Sequence, residues 1–193
     1  MEQIRSFIAI ELPDELRREL GHIQARLKSP EQPSVKWVDA GSIHLTLKFL
    51  GSIAADRTDA ITGAINEAVR GIAPFSLTAR GLGVFPNPRR PQVIWVGVGG
   101  EVAKLEQLKQ RLEARLIPLG FAAETRPFSA HLTLARLRPQ ASPAERQEIG
   151  RRVTATDFTA TNAIEVAAIS LMRSQLTLKG AIYHRLSSAV LKE

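Results

Sequence analysis

An α+β fold of two similar, pseudo-symmetric lobes, with largely antiparallel sheets flanked by helices, is what this sequence predicts. Three observations predict it. Strand-like and helix-like runs are mixed without the regular alternation of a parallel βαβ array. The tetrapeptide His-Leu-Thr-Leu occurs twice, at 44–47 and 131–134, nearly half of the 193-residue chain apart. The succession of strands and helices around the first copy recurs loosely around the second. Together these imply a single bilobal domain over 1–193, each lobe lending one motif strand to a central cleft.

The elements follow from local pattern. Ser6 to Leu12 reads as a buried strand closed by Pro13, and Asp14-Glu15 open a helix with Leu16, Leu20, Ile23 and Leu27 at helical spacing. The two-proline stretch from Ser29 to Ser34 is a loop, and Val35 to Val38 a short strand. Ile43 to Leu50 is the first motif strand, ended by Gly51. Asp56 to Arg70 forms a helix with Ala60, Ile61, Ala64, Ile65, Ala68 and Val69 inward. Phe75 to Phe85 and Gln92 to Val98 pair as strands around Pro86-Asn87-Pro88-Arg89-Arg90-Pro91, too proline-rich for a ladder. Gly99-Gly100 lead into a helix over Glu101 to Leu116, striped by Leu105, Leu108, Leu112 and Leu116. Arg126 to Arg138 contains the second motif strand and Pro143 to Arg152 a short helix. Phe158 to Thr161, Ala163 to Met172 and Ala181 to Leu186 read as closing strands.

Composition narrows the function. Hydrophobic content of 44% and charged content of 23% suit a globular chain with a real core. The absence of cysteine excludes disulfides, thiolate zinc sites and a Cys nucleophile. No apolar stretch is long enough to span a bilayer, and Met1-Glu2-Gln3-Ile4-Arg5 shows no signal-peptide pattern, so a cytoplasmic protein is expected. A net charge of +7 favours an anionic partner, whether a polyanion or a small substrate.

The repeat carries the chemistry. In an extended strand, alternate side chains take opposite faces, so each His shares a face with its Thr while the Leu residues enter the core. Histidine titrates near neutrality, so one imidazole can take a proton while the other gives one. In-line displacement at phosphorus needs such an opposed pair, and two Thr hydroxyls can bind the non-bridging oxygens. There is no His-Glu-x-x-His, no Asp-rich loop, no phosphate-binding Gly-x-x-x-x-Gly-Lys-Ser/Thr loop and no Gly-x-Ser-x-Gly elbow. No metal or other cofactor is expected.

Paired His-x-Thr motifs, in His44-Leu45-Thr46-Leu47-Lys48-Phe49-Leu50-Gly51 and in Arg126-Pro127-Phe128-Ser129-Ala130-His131-Leu132-Thr133-Leu134-Ala135-Arg136, resemble those of the 2H phosphoesterases. The likeness is to the bacterial and archaeal RNA 2′,3′-cyclic phosphodiesterases, also called 2′-5′ RNA ligases. Phe7-Ile8-Ala9-Ile10-Glu11-Leu12-Pro13, Val35-Lys36-Trp37-Val38 and the hairpin from Phe85 to Val98 extend it over nearly the whole chain. The resemblance implies a bilobal 2H phosphoesterase fold with a basic cleft, and metal-independent hydrolysis of a terminal 2′,3′-cyclic phosphate to a 2′-phosphate. It implies His44 as proton donor to the departing 3′ oxygen, His131 as the base that activates water, and Thr46 and Thr133 on the phosphate oxygens. Arg136 matches a family arginine that contacts the phosphate. The expected partners are RNA ends bearing a cyclic phosphate, tRNA fragments among them, with no membrane and a monomeric protein. Reverse 2′-5′ ligation uses the same groups. The alternatives are a cyclic phosphodiesterase of small nucleotides and a non-catalytic module that binds RNA ends.

Strict alternation puts Arg136 on the face of Leu132 and Leu134, opposite His131, unless the strand bulges near Ala135. The same parity puts Lys48 with His44 and Thr46, as a second phosphate-binding candidate, and sends Phe49 into the core. Arg89, Arg90 and Arg126 are candidate RNA contacts. Against the catalytic reading, His44 and His131 could be structural histidines satisfied by neighbouring carbonyls, and both Thr residues ordinary strand formers. The duplicated pairing favours catalysis. His22 and His184, with no Thr two residues on, are expected to be structural or exposed.

Overall fold

The computed structural model describes residues 2–177 and 180–193. The elements, in chain order, are β1 (Gln3–Glu11), α1 (Asp14–Leu27), β2 (Val35–Trp37), β3 (His44–Ala54), α2 (Thr58–Val69), β4 (Phe75–Phe85), β5 (Val93–Gly100), α3 (Val102–Leu116), β6 (His131–Leu137), α4 (Pro143–Thr154), β7 (Ile164–Val166), β8 (Ala168–Thr177) and β9 (Gly180–Val190). Among the described residues no helix is long and apolar enough to cross a membrane.

The helices form where the apolar spacing puts them. Leu16, Leu20, Ile23 and Leu27 of α1 are all buried, each worth about 1.5–3 kcal/mol of burial. The Ser142 side chain and Glu145 close a reciprocal cap at the start of α4. The strands form two antiparallel sheets, one ordered β3-β1-β8-β9 and the other β2-β6-β5-β4-β7. The lobes are therefore not the two sequence halves. Strand β4 leaves the first half to pair with β5, and β8 leaves the second half to pair with β1. The main apolar core runs through both sheets and all four helices, and Phe7, Ala9 and Met172 form a small second cluster with Tyr183 against it.

Several boundaries differ from the sequence reading for physical reasons. The stretch expected as one strand over Ala163 to Met172 is two, because the chain crosses between sheets at Ala167. Phe158 to Thr161 makes only an isolated bridge, Arg80 with Thr159. Strand β3 does not stop at Gly51 but runs on to Ala54, because Gly51 adopts φ 73° at a register shift that glycine tolerates. Gly99-Gly100 stay in the ladder of β5.

The two motif strands are distorted identically. In β3, Thr46 pairs with Ala9 and Lys48 with Ile8, leaving Leu47 as the extra residue of a bulge. In β6, Thr133 pairs with Trp95 and Ala135 with Ile94, leaving Leu134 extra. Each bulge turns two consecutive side chains inward, so Leu47 and Lys48 are both buried, as are Leu134 and Ala135. Parity then reverses. Phe49, expected in the core, is 65% exposed, and Arg136 emerges on the face of His131 and Thr133.

Lys48 is thereby taken out of the site. Its ammonium donates to Glu113 of α3 at 2.9 Å and to the Ala122 carbonyl at 2.7 Å, tying β3 to the segment that leads into β6. Burial pushes the Glu113 carboxyl up, but hydrogen bonds from Lys109 and Lys48 outweigh it and hold the group below the usual range. The second bulge is secured from the first half of the chain. The Leu134 carbonyl accepts from the Val38 amide at 2.9 Å and from Gln24 Nε2 at 3.0 Å, and Gln24 is itself buried.

Two stability outcomes are expected. Lys48→Met strands the Glu113 charge with one partner fewer and lowers urea-unfolding stability by about 3–5 kcal/mol. Gln24→Leu removes a donor shared by the Val38 and Leu134 carbonyls and costs about 1–3 kcal/mol in the same assay.

Candidate active site

Each motif histidine opens its strand and hydrogen-bonds backwards. His44 Nδ1–H donates to the Ser42 carbonyl at 2.9 Å, and His131 Nδ1–H donates to the Ser129 carbonyl at 2.7 Å. In the neutral ring this leaves Nε2 with its lone pair free on both residues. Thr46 and Thr133 follow on the same faces, half-buried, with hydroxyls that make no hydrogen bond among the described residues.

The two imidazoles sit in unequal surroundings. Phe7 stacks on His44 with ring centroids 4.6 Å apart, and Tyr183 meets the same ring edge-on at 5.0 Å. His131 has one aromatic neighbour, Phe85, edge-on at 5.1 Å. Burial pushes the His44 pKa below its ordinary value of 6.5 and Arg17 reinforces this, while the bond to Ser42 and the Glu11 carboxylate oppose it. Glu11 faces His44 across the β1–β3 ladder and is itself bound by Arg185, at 2.7 and 2.8 Å, and by the Ser170 hydroxyl at 2.7 Å. The hydrogen bond from Arg185 is the main reason its carboxyl lies below the usual range. Its charge is therefore anchored and remains negative at neutral pH.

The two halves of the site meet at the seam between the sheets. Strand β3 is the edge of its sheet, and it lies against β6 of the other. Burial raises the Tyr183 hydroxyl pKa, opposed by the positive charges of Arg136 and Arg5. Arg136, on the His131 strand, therefore acts electrostatically on a ring that touches His44. Beside His44 the surface opens into a cavity of about 510 Å³ lined by Glu11, Arg17, Asp39, Met172, Ile182 and Tyr183 among others.

His44 and Thr46 stand on β3, and His131, Thr133 and Arg136 on β6, which lies against it, the last on this face because of the bulge. Lys48 lies behind it in the core. Arg89 and Arg90 are exposed in the turn between β4 and β5, where the Asn87 side chain accepts from both their amides at 3.1 Å. Arg126 is exposed in the loop before β6, its guanidinium making no hydrogen bond among the described residues. His22 and His184 are exposed. Sequence reasoning missed Phe7, Tyr183, Glu11, Arg185 and Arg5. Alternation along β1 carried a signal for three of these, since Arg5, Phe7 and Glu11 share a parity and the polar ends mark the outer face. Tyr183 and Arg185 come from a distant strand and had none.

Comparisons with known proteins agree with the fold. The family described as LigT like phosphoesterase matches over residues 10–95 and again over 96–183, one repeat per sequence half. An RNA 2′,3′-cyclic phosphodiesterase of Methanothermobacter thermautotrophicus is 33% identical, covering 94% of this chain and 95% of the relative. One of the same name from Archaeoglobus fulgidus is also 33% identical, over 93% of this chain and 96% of the relative. A crystal structure from Thermus thermophilus superposes with a TM-score of 0.80 at 29% identity, over 97% of this chain and 98% of that one. E. coli LigT complexed with 3′-AMP superposes at 0.78 and 28% identity over the full length of both chains. With both halves matched by one family and the same fold found along the whole length, the chain belongs to the LigT-like phosphoesterases.

Proposed function

We propose that this phosphoesterase hydrolyses the 2′,3′-cyclic phosphate at the end of an RNA to a 2′-phosphate, without metal, by paired histidine acid–base catalysis. The names of the relatives support the substrate class. The observation that carries the mechanism is the matched presentation of His44 and His131, each with Nδ1 on the carbonyl two residues back and Nε2 unengaged among the described residues. His131 Nε2 takes a proton from water as its oxygen attacks phosphorus. The P–O3′ bond breaks opposite, and His44 Nε2–H gives its proton to the departing 3′ oxygen. Thr46, Thr133 and Arg136 hold the non-bridging oxygens, whose charge must be carried through the transition state. The product keeps the phosphate on O2′, and exchange with solvent restores both rings. An RNA 5′-hydroxyl attacking in place of water would turn this same step into 2′-5′ ligation, with P–O3′ again the bond that breaks.

Burial keeps His44 neutral in the free protein at pH 7, so the donor role requires the bound phosphate anion to draw a proton onto it. The two effects have opposite signs, and both can be measured. In a histidine NMR titration His44 should have its midpoint below 6.5 in the free protein and move up when a nucleoside 2′-monophosphate is added. A midpoint that stays down would exchange the acid and base assignments.

His44→Ala and His131→Ala should each lower kcat by about 10²–10⁴-fold with folding intact by circular dichroism. Wild-type turnover should survive EDTA and yield a 2′-phosphate end. Full activity in either variant, or a 3′-phosphate product, would overturn the scheme.

A further inference from the structure

Beyond the reacting end, one corner of the second sheet concentrates positive charge that the protein leaves uncompensated. Lys36 of β2 and Arg136 of β6 are direct cross-strand partners, both exposed, on the face that carries His131 and Thr133. Like charges placed opposite each other in a ladder are destabilising. Neither is paired with a carboxylate among the described residues, and the same holds for Arg138, Arg89 and Arg90 nearby. In the other sheet, by contrast, Arg185 is bound by Glu11 and Arg173 by Glu2.

The corner is built rather than loose. The turn bearing Arg89 and Arg90 is stitched to the end of β6, where the Leu137 amide donates to the Gln92 carbonyl at 2.9 Å. Arg146 of α4 donates to the Pro91, Arg138, Pro139 and Ala141 carbonyls, spending its own donors on holding the turn and the strand end together. Gly150 allows the closest approach. A Cβ there would lie 2.1 Å from the Pro88 carbonyl oxygen, so the turn rests directly on the helix backbone. Four groups from three separate segments are thus brought to the flank of Arg136.

We propose that this corner, with Lys36 and Arg138 at its centre, binds the backbone phosphates of the RNA strand upstream of the cyclic end. The inference rests on the function proposed above and names the substrate as an oligonucleotide rather than a mononucleotide. Arg136 lies three residues past Thr133, roughly 10 Å along the strand, and Lys36 is about 4.8 Å further to the side. Arg136 is long enough to reach back to the reacting phosphate, whereas Arg138, two residues further along, and Lys36, on the neighbouring strand, are placed for the next phosphates of the chain. A polyanion laid across the corner would relieve the Lys36–Arg136 repulsion and release its own counterions, so the binding must be salt-dependent.

The test compares two substrates with the double variant Lys36→Gln, Arg138→Gln, both exposed positions. Turnover is measured on a short cyclic-phosphate-ended oligonucleotide and on a 2′,3′-cyclic mononucleotide, across a salt series. The variant should lose about tenfold or more kcat/KM on the oligonucleotide relative to the mononucleotide near 0.1 M salt. Its log–log salt slope on the oligonucleotide should be shallower by about 1.4, for two fewer contacts to a single strand. Equal losses on both substrates, or an unchanged oligonucleotide slope, overturn the inference. If the wild type turns over neither substrate, the proposed function fails. Fluorescence anisotropy with the same oligonucleotide then decides the corner, a matching loss of affinity and slope supporting it and wild-type binding by the variant overturning it.

Discussion

The bulge that follows each His-Leu-Thr is the constraint from which the site derives. An unbroken strand would carry His, Thr and the fifth residue of the motif on one face and bury the sixth. The extra residue turns two neighbours inward and sends the sixth outward. In β6 this brings Arg136 to the face of His131 and Thr133, and in β3 it brings Phe49 to the surface while withdrawing Lys48 into the core. The same distortion in both copies makes the two half-sites equivalent in backbone and different in chemistry. One half offers a guanidinium and the other an aromatic ring.

A bulge leaves a ladder carbonyl at Leu134 without its ordinary partner and turns the Lys48 ammonium inward, and both find partners from the other half of the chain. Gln24 reaches from the first helix to the second motif strand, and Lys48 reaches from the first motif strand to the segment before the second. The exchange of β4 and β8 between sheets works to the same end, since neither lobe can close its sheet without a strand from the other half. The two motif strands, which belong to different sheets, are thereby tied to one another across the seam.

Within that symmetric frame the electrostatics are asymmetric. His44 is walled by Phe7 and Tyr183 with an anchored carboxylate behind it, whereas His131 has one aromatic edge and more open surroundings. The aromatic wall thus sets the two histidines apart, since it stands on the His44 side. The uncompensated cations beyond Arg136 then extend the attraction for anions from the reacting centre outward along one sheet.

Much of this was legible in the sequence. The helical spacing of Leu16, Leu20, Ile23 and Leu27 put α1 where it is, the repeat named both histidines and both threonines, and the charge balance pointed to an anionic substrate. These are local or additive properties, readable from neighbours along the chain. What lay beyond reach were properties of pairing. Parity from Leu47 and Leu134 onward depends on a register set by strands β1 and β5, so Lys48, Phe49 and the face of Arg136 could not be settled from their own segments. Tyr183, Arg185 and the Lys36–Arg136 pair are neighbours only through sheet order. The paired His and Thr residues could be picked out from the sequence alone. Which side chains surround them was decided by the tertiary structure, because a bulge and a strand exchange change who faces whom without changing a single local preference.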